Sequence, residues 1–505
     1  MNKKNESVYY ISIAITLFLI VVGVFAPDTF KVVGEGAYEF CVNKFSWFYL
    51  VGMFAFVVFA IWIAFSKYGL VRLGPDDSRP DYSNASWFAM LFSAGMGIGL
   101  VFWGVAEPLN HFVSAGGTSE AANFAIKKSF FHWGLAPWAN YTILGLALAY
   151  FQFRKNKPGL ISTIFIPLIG EKGVKGPIGK TIDVLAIFAT VAGMATSLGL
   201  GTLQINSGFN HLFGMPKTMT VIVAIVVIIT IFYILTAVTG VDKGIKMLSD
   251  LNLWLAGGLV VAALLIGPTI KIIETLTNGM GAYLGNFIQD SLSIDSFGDK
   301  TWLGGWTILY WAWWIAWAPF VGTFIARISR GRTIREFVAG VLIFPTVGSA
   351  VWFSIFGTLG IDASMKQGFD FAQSAISETS TALFKVFELY PFGTVLSLVA
   401  IVLLITFFVT SANSATFVLG MMSSNGDLNP SNKKKVVWGV LLSTFALALI
   451  YSGAKGGNIE SGLKMLQTAS LAAALPFAVV LCFCMVSIVK TLKSDVASGE
   501  LKIEK

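Results

Sequence analysis

Residues 306–320 read WTILYWAWWIAWAPF. Five tryptophans (Trp306, Trp311, Trp313, Trp314 and Trp317) fall within twelve residues, and Pro319 follows them. An indole is bulky, and its N–H needs an acceptor wherever it is buried. Trp306, Tyr310, Trp313 and Trp317 keep the i, i+4, i+7, i+11 spacing of one helix face, with Trp314 beside it. At 1.5 Å per residue the stripe runs roughly 16 Å, deeper than the single turn of an aromatic belt at a membrane surface. An inward aromatic face attracts cations. It suits a quaternary ammonium, which has no N–H to donate and sheds water readily. Pro319 lacks an N–H, so the helix is expected to be interrupted there, with the Ile315 carbonyl losing its helical partner.

The stretch lies in a chain composed for lipid. Of 505 residues, 55% are hydrophobic and 12% charged, and the mean hydropathy is +0.75. A soluble chain carries about a quarter charged residues. Apolar runs occur at 8–26, 46–66, 86–109, 129–152, 181–206, 219–240, 251–274, 305–326, 335–358, 393–420, 436–453 and 468–490. Each crossing needs about 20 apolar residues, so the pattern predicts an all-α integral membrane protein of about twelve transmembrane helices. The first run is too long for a cleavable signal and has no A-x-A site before Pro27. With the N-terminus inside, 24 of the 35 Lys and Arg fall on the inner side, which places both termini in the cytoplasm. The formal charge of +8 then reflects basic inner loops and not a nucleic-acid partner. Cys41, Cys482 and Cys484 lie in or beside apolar runs and are read as packing residues. The outer connection 359–392 carries apolar residues at helical spacing. It is either an amphipathic helix along the surface or an ordinary loop.

Residues 188–196 and 408–416 echo one another: Phe, Thr, Ala, Ala and Thr recur at matching places, 220 positions apart. Each segment is the third helix of a unit that opens on a Gly- or Pro-disturbed helix, near 86 and 305. Two such five-helix units starting on opposite sides of the membrane are inverted repeats, as in alternating-access transporters. The chain is thus read as one polytopic domain: two N-terminal helices (8–66), a first repeat (86–274), a second (305–490) and a short cytoplasmic tail (491–505).

Gly95, Gly97 and Gly99 alternate in SAGMGIGLVFWG, 93–104. Two readings fit: an unwound stretch offering N–H groups to an anion and carbonyls to a cation, or a small-residue seam for helix packing. Trp133, Trp138 and Tyr141 form a second aromatic set beside Pro137. No Asp or Glu falls within these aromatic and glycine stretches; Glu107 comes a little after the glycines. A bare cation would want a counter-charge; a zwitterion brings its own. Its carboxylate would meet glycine N–H groups while its trimethylammonium enters the aromatic box. Thr410 and Ser411, echoed by Thr190, either back-bond to their own helices or join free carbonyls in an oxygen cage for Na⁺. His111, His132 and His211 have no metal spacing and are read as structural, with a proton role the alternative for His132 beside Trp133. No nucleophile elbow, phosphate loop or metalloprotease motif is present, so an enzyme is not expected.

Taken together, WTILYWAWWIAWAPF followed by ARISRGRTIREF, with AGMGIGLVFWG, HWGLAPWANY, ATVAGMATSLGLG and FVTSANSA in order, resembles the betaine/choline/carnitine transporter family over nearly the whole chain. The sodium-coupled glycine betaine symporters are the most similar members. The resemblance implies a LeuT-like fold, with two extra helices before two inverted five-helix repeats, a homotrimer, and a place in a bacterial plasma membrane. It implies an aromatic box of Trp133, Trp138, Tyr141, Trp313, Trp314 and Trp317, with Phe320 nearby and Gly95, Gly97 and Gly99 bordering the betaine carboxylate. One Na⁺ would use backbone oxygens of Ser93, Met96 and Phe407 and the side chains of Thr410 and Ser411. A second would use Thr190 and the surroundings of Phe320, but Met194 stands where the family pattern has another Thr. Asn413 stands where an Asp is more usual. The alternatives are proton-coupled choline or carnitine uptake, or a small-cation channel.

Overall fold

A computed structural model describes residues 6–95, 97–239, 242–455 and 457–501, without the side chains of 92–95 and 242–246. It is all-helical. Among the described residues, strand pairing is confined to one antiparallel bridge, Arg72–Thr333, where two loops meet. Thr333 also opens the Ile334–Gln367 helix with a capping box: its side chain accepts from the Glu336 N–H, and Glu336 accepts in return.

Ten helices among the described residues are long and apolar enough to cross a membrane. They are Ser7–Phe25, Pro27–Phe65, Pro177–Phe213, Met219–Thr239, Met247–Ile266, Thr301–Ile328, Ile334–Gln367, Gly393–Met422, Asn432–Ala454 and Ile459–Ala497. They match ten of the twelve expected runs. The remaining two runs are each divided. Run 86–109 is split into Asn84–Gly95 and Ile98–Ser114, with Gly97 (φ −140°, ψ −132°) at the break. Run 129–152 is split into Ser119–Trp133 and Leu135–Ala149 at Gly134. A Cβ on Gly134 would come within 2.5 Å of the Phe130 carbonyl and the Tyr283 hydroxyl, so only glycine fits that bend. Tyr283 occupies the space usefully, accepting the Leu135 N–H at 2.8 Å.

Three expectations need correction. Pro27 does not merely end the first run. It sits in the first turn of Pro27–Phe65, which is longer than the expected 46–66, as suits a residue with no N–H to satisfy. Segment 359–392 is not one surface helix. The preceding helix runs on to Gln367, and Phe369–Ile376, Thr379–Thr381 and Ala382–Phe387 follow as short pieces. Leu383, Phe384, Val386 and Phe387 are all buried. Pro319 does not interrupt its helix, which continues from Leu309 to Ile328. One turn beneath, Asn140 Nδ2 donates to the Trp314 carbonyl at 2.8 Å, and Thr323 Oγ1 donates to the Pro319 carbonyl at 2.6 Å. Side chains thus support the backbone around the proline.

Burial orders the helices. Thr301–Ile328 and Pro177–Phe213 are 89% and 83% buried over their most apolar windows, whereas Met219–Thr239 and Met247–Ile266 are 28% and 22% buried. The first two form the centre; the other two present apolar surface outward, as lipid-facing helices do. The echoing helices Pro177–Phe213 and Gly393–Met422 pack on one another.

On one face of the bundle, Glu378 binds Lys217 at 2.5 Å and Asn458 at 3.4 Å. The Lys217 ammonium holds the Glu378 carboxyl below its ordinary value. A lowered folded value stabilises above the unfolded one, about 4.3, and that stabilisation is lost as pH falls through the lowered value. Glu378→Gln is therefore expected to melt below wild type at pH 7, with the gap closing below about pH 4. A pH-independent gap in Tm would show that the ion pair is not its source.

Candidate functional site

Gly97, Gly99, Trp133, Trp313, Trp314 and Trp317, with Ile98, Ser197 and Ser411, line one tight cavity of about 10 Å³. That is far smaller than the roughly 300–1,000 Å³ of small-ligand sites, so its walls must part to admit a ligand. Trp313 and Trp314 stack, with centroids 4.8 Å apart and planes 14° from parallel, and Trp133 meets Trp314 edge-on at 4.8 Å. Two helices position these rings. Leu309–Ile328 carries the three later tryptophans on adjoining faces, and the bend at Gly134 ends a helix on Trp133.

Each indole N–H is bound within the protein. Trp133 donates to Glu107 Oε2 at 2.8 Å, Trp314 to the His132 carbonyl at 2.9 Å, Trp317 to the Gly193 carbonyl at 2.9 Å and Trp313 to Ser197 Oγ at 3.3 Å. Parts of these rings border the cavity. Gly99 borders two of them: a Cβ there would lie 2.9 Å from both Trp133 and Trp313. Gly97 is the break itself: no side chain caps the Ile98–Ser114 helix, and the Leu100 N–H turns back to the Gly97 carbonyl at 3.1 Å.

Not every expected residue lines this space. Trp138 and Tyr141 are buried behind it, edge-on to one another at 5.5 Å, with Tyr141 against Trp314 at 6.5 Å. Trp306 and Tyr310, from the same stripe, line a second cavity of about 20 Å³ with Trp103, Trp313 and Gln467. Phe320, Thr410 and Ser411 line a vestibule of about 540 Å³ on the side of Tyr82 and Asp250, and Ser411 borders both it and the box.

For the oxygen-cage residues the geometry is as follows. Met96 and the side chains of Ser93 and Gly95 lie outside the described residues. Thr410 Oγ1 lies 3.0 Å from the Thr406 carbonyl and 3.2 Å from that of Phe407, and accepts from Asn252 at 3.1 Å. Thr190 Oγ1 donates to the Ala186 carbonyl at 2.9 Å. Met194 is buried. Asn413 gains a structural account: its Nδ2 donates to Thr236 Oγ1 at 3.0 Å, joining Gly393–Met422 to Met219–Thr239.

The sequence reading missed the polar cluster behind the box. Glu107, His111 and His132, all fully buried, come together with Tyr310 and Trp133. The available signals were an acidic residue inside an apolar run and a histidine next to Trp133.

Residues 7–497 match the betaine/carnitine/choline family of transporters. The chain belongs to that family. It is 46% identical over 502 residues to the glycine betaine transporter OpuD of Bacillus subtilis, covering 98% of this chain and 96% of that one. It is 44% identical to a probable glycine betaine transporter of Desulfitobacterium hafniense, covering 98% and 99%. It is 43% identical to an ectoine/hydroxyectoine transporter of Virgibacillus pantothenticus, covering 100% and 99%. As a betaine/carnitine/choline family member it is a multi-pass membrane transporter and not an enzyme.

Proposed function

We propose that this transporter imports glycine betaine, as an osmoprotectant, by Na⁺ symport across a bacterial plasma membrane. The observation that carries the substrate is the cavity lined by four indole rings with every indole N–H already bound. Such rings offer π-electron density and no free N–H, which matches a methylated ammonium. The helix start at Gly97, which no side chain caps, supplies the complementary feature, N–H groups for a carboxylate. Two relatives bear the name of glycine betaine transporters. A third takes ectoine, another osmolyte, which makes ectoine the competitor to test.

The proposed mechanism is alternating access around this site, with two inverted five-helix repeats behind two added helices, both termini cytoplasmic, and a homotrimeric assembly. The vestibule on the side of Tyr82 and Asp250, reaching Ser411, is then the cytoplasmic approach. Na⁺ is proposed at Thr410 and Ser411 with the Phe407 carbonyl, completed by Ser93 and Met96, and a weaker second site at Thr190. Binding there requires Thr410 to turn its oxygen from back-bonding toward the ion.

The test is uptake of labelled glycine betaine into liposomes holding the purified protein, under an inward Na⁺ gradient or an equal K⁺ gradient. Accumulation with Na⁺ alone is expected, and Thr410→Ala with Ser411→Ala should shift the Na⁺ dependence to higher concentration. Equal uptake in both gradients would remove sodium and leave proton coupling, for which Glu107, His111 and His132 are the candidate groups.

A further inference from the structure

We propose that Glu107 is a positioning residue for the substrate cation: its carboxylate charge, set behind Trp133 and Tyr310, makes the box selective for a positive headgroup. This rests on reading the cavity as a quaternary-ammonium site.

Glu107 is fully buried, and four groups converge on it. Its Oε2 accepts from Trp133 Nε1 at 2.8 Å and from the Tyr310 hydroxyl at 2.5 Å. Its Oε1 lies 2.7 Å from His132 Nδ1 and 3.3 Å from His111 Nε2. An indole only donates, so a proton on Oε2 would face a donor. With neutral rings the cluster is consistent throughout: His132 gives its Nδ1 proton to Glu107, and its Nε2 accepts from Thr307 Oγ1 at 3.0 Å. His111 Nδ1 has no partner among the described residues. A second proton on that ring would be a buried donor without an acceptor, which is costly. In this arrangement the cluster holds one net negative charge. On the neighbouring helix Lys128 and Lys127 make no bond to Glu107 and are both turned to Asp290, at 2.9 and 3.2 Å.

That charge reaches the cavity through the rings it binds. Trp133 lines the box, and Tyr310 lies 6.1 Å from Trp313 and 5.9 Å from Trp314. A carboxylate at the N–H and O–H edges increases the negative potential on the ring faces, the property that attracts a cation. It also repels a ligand carboxylate. A zwitterion is thereby turned with its ammonium toward Trp133 and its carboxylate toward Gly97 and Ser411. The counter-charge that the aromatic and glycine stretches lack is supplied from behind the wall.

The experiment measures the affinity of the purified full-length protein for glycine betaine and for 3,3-dimethylbutanoate, which has the same shape with carbon in place of the charged nitrogen. Glu107→Gln keeps a hydrogen-bonding side chain of equal size and removes the charge. It is expected to weaken betaine about tenfold or more while leaving the isostere unchanged or tighter. A parallel loss of both ligands, or an unchanged ratio, would overturn the proposal and leave Glu107 a packing residue. Wild type that binds neither ligand would refute the quaternary-ammonium reading, and this inference with it. Should Glu107→Gln not fold, wild type decides: choline must bind more tightly than 3,3-dimethylbutanol, its uncharged match, and equal affinities would overturn the role.

Discussion

Trp317→Ala is expected to raise the KM for glycine betaine by about tenfold or more, because a desolvated cation–π contact is worth about 2 kcal/mol. Trp317 closes the box on the side of Phe320, with ring centroids 5.6 Å apart, and its N–H is fixed on the Gly193 carbonyl at 2.9 Å. Alanine removes the ring and leaves that carbonyl without its indole donor. Losing a buried Trp also costs about 3–5 kcal/mol of stability, so the kinetic change needs a control. Trp317→Phe keeps an aromatic face and loses the indole donor. If the face is what matters, Phe retains most of the affinity while its Tm falls. Betaine uptake by the alanine variant with an unchanged KM would remove Trp317 from the site.

Gly99→Ala should act as strongly by the opposite route. The new methyl would lie 2.9 Å from ring atoms of both Trp133 and Trp313. Neither ring swings away freely, since Trp133 is tied to Glu107 at 2.8 Å and Trp313 to Ser197 at 3.3 Å. The methyl therefore enters a cavity that is already tightly filled, with only about 10 Å³ of open space. Gly99 lies in the first turn of the Ile98–Ser114 helix, where Ala is the better helix former by about 1 kcal/mol. The expected result is a stability within about 1 kcal/mol of wild type with saturable betaine binding lost or weakened more than about tenfold. Wild-type affinity in a folded Gly99→Ala protein would mean that Gly99 does not border the ligand.

Much of this was written in local patterns. Hydropathy located ten spans because each is a continuous run, and the periodicity of Trp313 and Trp317 put both on the box. The glycines at 95, 97 and 99 left two readings, an unwound stretch or a packing seam, and the backbone at Gly97 is a break. What escaped depends on partners remote in sequence. Glu107 meets Trp133 from 26 residues away and Tyr310 from 203, and no spacing rule connects them. Continuity through Pro319 was hidden for the same reason, since Asn140, which supports the turn below, comes from another helix. Trp138 and Tyr141 share a periodic face with one another, but the bend at Gly134 turns their helix relative to Trp133, and they pack behind the cavity.

The four anchored indoles have a consequence for how tightly so small a ligand can be held. A side chain that must be immobilised on binding forfeits about 0.5–1.5 kcal/mol of rotational entropy. Here the rings are frozen before anything arrives, by Glu107, the His132 and Gly193 carbonyls and Ser197. Their ordering is met once, during folding. For four rings the saving is roughly 2–6 kcal/mol. At its midpoint, about 4 kcal/mol, preorganisation separates millimolar from micromolar capture, which decides whether a cell can scavenge a scarce solute.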